Sequence, residues 1–264
     1  MSRVKAVSLK DRKRSGEKIA VLTAYDFPSA KLTDESGVDV ILVGDSCAMV
    51  VMGLPDTLGI TMDEMVHHVR MVSRGSEHAL VVADMPFLSY QISPEEALRN
   101  AGRFVAEAGA QAVKLEGPAS KFGGAIEAIL NAGIPVMGHI GLTPQSVHQF
   151  GGYKVQGRDP ESRKRLKEEA KGLEEAGCFA IVLECIPADL AGEITSSLTI
   201  PTIGIGAGAA CDGQVLVMHD ILGLGAYTKF SKVFGDARFV MQKAFQDFVR
   251  EVKSGTFPDK DHQY

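Results

Sequence analysis

Along the chain, short runs of β-branched and aliphatic residues alternate with longer stretches in which apolar positions recur every three or four residues. Seven of the short runs predict strands, at 19–25, 38–44, 79–85, 112–115, 134–139, 179–185 and 201–205. Each is apolar almost throughout, as a parallel strand is when both of its faces are covered. An eighth is harder to place; it falls within 215–224, where part of the segment also reads as helix.

The intervening stretches carry helix signals. Ser93-Pro94-Glu95-Glu96 offers an N-cap, a proline for the first turn and acids for the positive end of the helix dipole. Ala97, Ala101, Phe104, Val105 and Ala108 then form an apolar stripe, with Glu96, Arg99, Arg103 and Glu107 on the other side. Gly109 ends that helix, as Gly37, Gly133 and Gly177 end others, and a last helix starts near Asp236. Alternating strands and helices predict an α/β fold with a parallel sheet. No linker or composition shift divides residues 1–264, so one domain is expected. About eight units in this length favour a closed (β/α)8 TIM barrel over a doubly wound open sheet.

Composition narrows the partners. A net charge of −5 gives no basic excess for nucleic acid. Seven basic side chains fall in the first eighteen residues, but Asp11 and Glu17 interrupt them, and they read as a solvated terminal helix. No run of about eighteen uncharged apolar residues exists, so no membrane span is expected. Cys47, Cys178, Cys185 and Cys211 form no C-x-x-C pair and read as reduced packing groups in a cytoplasmic protein.

Three consecutive strand runs end in acids: Asp45 after Val-Gly, Asp84 after Val-Ala, and Glu116 after Lys114-Leu. One acid in such a place is ordinarily a cap or turn residue. Three at equivalent places on neighbouring strands converge on one mouth of a barrel, where βα loops carry function. Like charges at close range need protons or a cation, and an all-oxygen set suits a hard ion such as Mg²⁺. Lys114 shares a strand face with Glu116 and is a second source of neutralisation. Glu184 closes the sixth run as either a general base or a water-facing acid, and His139 closes the fifth as either a structural donor or an accessory to the chemistry. The Gly204–Gly208 turn suits backbone capture of a phosphate or close packing, and the long connection at 141–160 suits a lid or binding loop.

These residues resemble one family. Thr23-Ala-Tyr-Asp26, Val43-Gly-Asp45-Ser46, Ala83-Asp84-Met-Pro-Phe87, Val113-Lys114-Leu-Glu116-Gly117 and Gly138-His139-Ile-Gly-Leu-Thr-Pro-Gln145 are similar, in order, to motifs of ketopantoate hydroxymethyltransferases. So are Phe150-Gly-Gly-Tyr-Lys-Val-Gln-Gly157, Leu183-Glu184-Cys185, Ile203-Gly-Ile-Gly-Ala-Gly208 and Asp212-Gly-Gln214. The resemblance implies a barrel of the phosphoenolpyruvate/pyruvate-binding type, assembled as a homodecamer. It implies hydroxymethyl transfer from 5,10-methylenetetrahydrofolate to 3-methyl-2-oxobutanoate, giving 2-dehydropantoate by way of a metal-stabilised enolate. On that basis Asp45, Asp84 and Glu116 match Mg²⁺ ligands, Asp45, Ser46, Asp84 and Lys114 match oxo-acid-binding positions, and Glu184 matches the proton acceptor. Cys47-Ala48, Gly59 and Thr228 depart from the family's usual residues, and Ala48 would strain the loop if that position needs positive φ. Another metal-dependent 2-oxo acid lyase or mutase on the same barrel, and a barrel without catalysis, are the competing readings.

Overall fold

The eight parallel strands pair in sequence order, and β8 returns to β1 to close the sheet. The structure is a computed structural model that describes residues 3–225 and 228–264. Strands β1 (Ile19–Thr23), β2 (Val40–Val43), β3 (Leu80–Asp84), β4 (Ala112–Lys114), β5 (Val136–Gly141), β6 (Ala180–Glu184) and β7 (Thr202–Ile205) lie within the runs expected of them or overlap them closely. The eighth, β8 (Gly213–Leu216), starts before the expected segment, which from Met218 on is helical. Its signal was faint because it is four residues long and alternates buried Val215 with exposed Gln214.

Helices α1 (Ala6–Ser15), α2 (Phe27–Glu35), α3 (Cys47–Val50), α4 (Met62–Gly75), α5 (Pro94–Ala106), α6 (Ala119–Asn131), α7 (Val147–Phe150), α8 (Pro160–Glu175) and α9 (Ala188–Ser197) belong to the same compact unit, residues 1–217. A second unit, residues 218–264, contains α10 (Met218–Ile221) and α11 (Ala237–Ser254). The Asp236 carboxylate caps α11 by accepting the Phe239 N–H at 2.9 Å. As read from the sequence, Ser93 caps α5, accepting the Glu96 N–H at 3.2 Å.

Period-two alternation explains both the core and the site above it. Inward positions of the lower barrel are apolar: Ile19 and Val21, Val40 and Leu42, Leu80 and Val82, Ala112, Met137, Ala180 and Val182 share one buried cluster. Two residues further along each strand, the inward side chain is at the upper mouth. There the sequence places Thr23, Asp84, Lys114, His139 and Glu184 instead of hydrocarbon.

The lower end is plugged by α1, which corrects the expectation of a solvated terminal helix. Ala6 and Leu9 join the barrel cluster, and several of the basic residues are anchors. Arg12 bonds to Asp39, Lys13 Nζ reaches Asp212 at 2.9 Å, and Lys18 Nζ donates to the Cys211 carbonyl at 2.6 Å. Long cationic side chains can bury their stems while their ends meet carbonyls and acids at the strand entrances, so a charge run conceals a docked helix.

Candidate active site

At the upper mouth, β3 and β4 pair with Asp84 directly beside Lys114. The Lys114 ammonium lies 2.8 and 2.9 Å from the two Asp84 oxygens and 3.8 Å from Glu116 Oε1. The loop after β2 brings Asp45 alongside, its N–H 3.4 Å from Asp84 Oδ2. Beyond Glu116, the ring of His139 is sandwiched between two carboxylates: Nδ1 is 3.4 Å from Glu116, and Nε2 is 3.4 Å from Glu184. Asp45, Asp84, Lys114, Glu116 and His139 are buried, while Glu184 is partly open to solvent. Ser46 stands at the start of α3 with its hydroxyl 2.8 Å from the Tyr25 phenol. The structure therefore gathers Asp45, Asp84, Lys114, Glu116, His139 and Glu184 at the mouth, with Ser46 at the start of the adjoining α3.

The electrostatics are those of crowded acids sharing few cations. Burial, with Asp84 and Glu116 nearby, pushes the Asp45 carboxyl well above the usual carboxylate range. Asp84 is also raised, because burial outweighs the pull of Lys114. Burial acts the same way on Glu116, but there His139 and Lys114 prevail and the carboxyl is lowered. Burial opposes the charge on Lys114, yet Asp84, Glu116 and Asp45 overcome it and raise its pKa. His139 is raised to about 9 because Glu116 and Glu184 outweigh burial and Lys114.

This donor set suits a hard divalent cation. Burial disfavours the charged forms of Asp45 and Asp84 even with Lys114 alongside, so a further cation there is favoured, and their oxygens are the ligand type that hard divalent ions take. Among the described residues, no three His, Cys, Asp or Glu side chains form a ready-made cage. A bound Mg²⁺ would thus draw the rest of its shell from water and substrate, as that ion commonly does.

Comparison with known proteins identifies the chain's relatives. The family model for ketopantoate hydroxymethyltransferase matches residues 3–260. The chain belongs to this family. It is 54% identical over 264 residues to the 3-methyl-2-oxobutanoate hydroxymethyltransferase of Syntrophomonas wolfei, covering 99% of this chain and 95% of that relative. The protein of the same name from Clostridium novyi is 58% identical over 252 residues, covering 95% and 91% of the two chains. Among solved structures, a 2,3-dimethylmalate lyase of the PEP mutase/isocitrate lyase superfamily superposes with a TM-score of 0.65 at 20% identity, covering 98% of this chain and 91% of that one. A phosphonopyruvate hydrolase in complex with oxalate and magnesium gives 0.64 at 15%, covering 98% and 93%. These two share the closed (β/α)8 barrel fold of this chain.

Within this hydroxymethyltransferase fold, Gln145 holds a place the sequence reading left without a role. Its side-chain N–H groups donate to Asp45 Oδ2 and to the Met85 carbonyl, both at 2.9 Å, and its backbone N–H donates to Glu116 Oε2 at 2.9 Å. Its Oε1 accepts from Gln91 at 3.0 Å and lies 2.9 Å from the Tyr90 hydroxyl, which accepts the Glu116 N–H at 3.1 Å. The one available signal was membership of the Gly-Leu-Thr-Pro-Gln145 block.

Geometry bears on three readings left open by the sequence. Ala48 lies within α3 and is absent from the positive-φ residues, so it meets no strain there. At Gly208 an added Cβ would stand 2.5 Å from that of Ala188, so close packing explains this glycine of the turn. The connection at 141–160 folds into a 3-10 turn, Pro144–Ser146, and α7 before an irregular stretch. The Tyr153 hydroxyl in that stretch lies 3.9 Å from Met49 Sδ of α3, and burial with Asp56, Glu184 and Asp45 pushes the phenol's pKa up. Among the described residues, no helix is long and apolar enough to cross a membrane.

Proposed function

We propose that this chain transfers a hydroxymethyl unit from 5,10-methylenetetrahydrofolate to 3-methyl-2-oxobutanoate, giving 2-dehydropantoate for pantothenate synthesis. The observation that carries the reading is Lys114, a buried cation set among Asp45, Asp84 and Glu116 at the barrel mouth, in a chain of this family. Lys114 binds the substrate carboxylate, and Ser46, oriented by Tyr25, donates its hydroxyl to it.

In this proposal Asp45, Asp84 and Glu116 would hold Mg²⁺ with water completing its shell, since no three acids among the described residues are gathered closely enough to do so alone. When bound, the ion would draw electron density from the keto oxygen and acidify the adjacent C–H. Glu184 removes the C3 proton, and the His139 ring, 3.4 Å away, fixes its carboxylate. C3 then bonds to the one-carbon unit as that unit's bond to one folate nitrogen breaks, and water displaces the second nitrogen and supplies the hydroxyl oxygen. The proton taken from C3 and one proton of the water end on the two nitrogens of tetrahydrofolate. His139 is an accessory that couples Glu184 to Glu116. The homodecamer is carried over from the family resemblance, and a cytoplasmic location from the reading of the four cysteines as reduced packing groups.

The test is proton NMR of 3-methyl-2-oxobutanoate in D₂O. With Mg²⁺ the C3 proton should exchange, EDTA should stop the exchange, and adding the folate donor should yield 2-dehydropantoate. Glu184→Gln should slow exchange and turnover while leaving Mg²⁺ affinity intact. Turnover unchanged in that variant would remove Glu184 from its role, and product formed only from a different electrophile would favour a lyase of the same fold.

A further inference from the structure

A cleft of about 830 Å³ opens beside the acid cluster, between the start of α6 and the middle of α8. Glu116 and Gln145 line its inner end, so a molecule lying in it reaches the reacting centre without displacing what Lys114 holds. Aromatic rings form one wall; those of Tyr90 and Phe122 meet edge to face at 5.3 Å. The outer part is charged, with Lys121 from α6 and Arg165 and Glu169 from α8.

Glu169 is a group the reaction as described leaves unused. Its side chain is 19% exposed, and among the described residues its one ion-pair partner, Arg165, stands 3.5 Å away. Burial pushes its carboxyl up against the pull of Arg165 and Lys121. A carboxylate turned into a cleft and so thinly satisfied is costly unless a ligand supplies donors.

We propose that this cleft binds the reduced folate, with Glu169 accepting hydrogen bonds from the two-donor edge of its pterin ring. The inference rests on the functional reading above and adds the location of the donor. A 2-amino-4-oxo pyrimidine presents a ring N–H and an amino group side by side, the match for a bidentate carboxylate acceptor. The aromatic wall takes the flat rings, and Arg165 and Lys121 meet the tail carboxylates at the open end. The volume falls in the range of about 300–1,000 Å³ usual for ligand sites of this size class.

Glu169→Gln removes one acceptor and the charge without altering side-chain length. It should raise KM for 5,10-methylenetetrahydrofolate at least tenfold and weaken calorimetric binding of the stable probe 5-formyltetrahydrofolate by a similar factor. KM for 3-methyl-2-oxobutanoate should stay within twofold of the parent value. Phe122→Ala should weaken the same probe through lost wall contact. Donor KM and probe affinity unchanged in both variants, with thermal unfolding intact, would overturn the assignment. The two ideas fail separately: a parent protein that does not exchange the C3 proton counts against the proposed function, whereas normal exchange with donor binding untouched by Glu169→Gln counts against the cleft.

Discussion

Replacing Gln145 by Leu removes the amide that holds Asp45 in place while keeping a side chain of similar volume. Three groups lose their partner, Asp45 Oδ2, the Met85 backbone carbonyl and the Gln91 amide, while the Tyr90 hydroxyl loses one acceptor and keeps its bonds to the Glu116 backbone. A neutral hydrogen bond contributes about 1 kcal/mol and one to a charged group about 1.5–3 kcal/mol, and a stranded buried polar atom costs about as much again. Leucine regains part of this through apolar burial, so the net loss should be about 3–5 kcal/mol. For a chain of this size, that lowers Tm by about 6–20 °C. Because outer partners of a metal ligand typically govern about 10–100-fold in affinity, Mn²⁺ or Mg²⁺ should bind weaker by that factor. Scanning calorimetry gives the first quantity and titration of Mn²⁺ followed by EPR gives the second. A Leu variant that melts within about 2 °C of the parent and binds Mn²⁺ equally well would show that the Gln145 network has no such role.

Asp34 should be a pH-dependent clamp between the end of α2 and the start of β3. Its carboxylate accepts from the Ser76 hydroxyl and from the N–H groups of His78 and Ala79, and despite burial these bonds hold its pKa far below the usual range. Asp34→Asn should cost about 3 kcal/mol at neutral pH by urea unfolding. Because the folded-state pKa is lowered, that margin is fully present above the unfolded value of about 4 and should shrink as pH falls below it; a margin independent of pH would contradict this. Leu9→Ala removes the buried centre of the α1 plug and should destabilise by about 2–5 kcal/mol, read by calorimetry. Gly141 has φ of +96°, and a Cβ there would stand 2.3 Å from the Glu184 carbonyl oxygen. Gly141→Ala should therefore displace the end of β6 and lower kcat more than it raises the oxo-acid KM.

The barrel was legible because strands covered on both faces must be apolar throughout, and about eight such runs alternating with amphipathic helices in this length favour closure over a doubly wound open sheet. Seven strands were readable in this way, whereas β8, with exposed Gln214, leaves too short a pattern. The acids were legible too, because Asp45, Asp84 and Glu116 break the apolar pattern just where strands end. Which groups face one another was decided only by closure of the sheet. The stagger between neighbouring strands sets Asp84 beside Lys114 and lets His139 stand between Glu116 and Glu184. Gln145 meets Asp45 across 100 positions of sequence, and α1 docks under strands that its own basic pattern gives no sign of. Local sequence fixes what each segment must bury; partners brought together by long-range folding have no periodic signature, so only the tertiary structure specifies them.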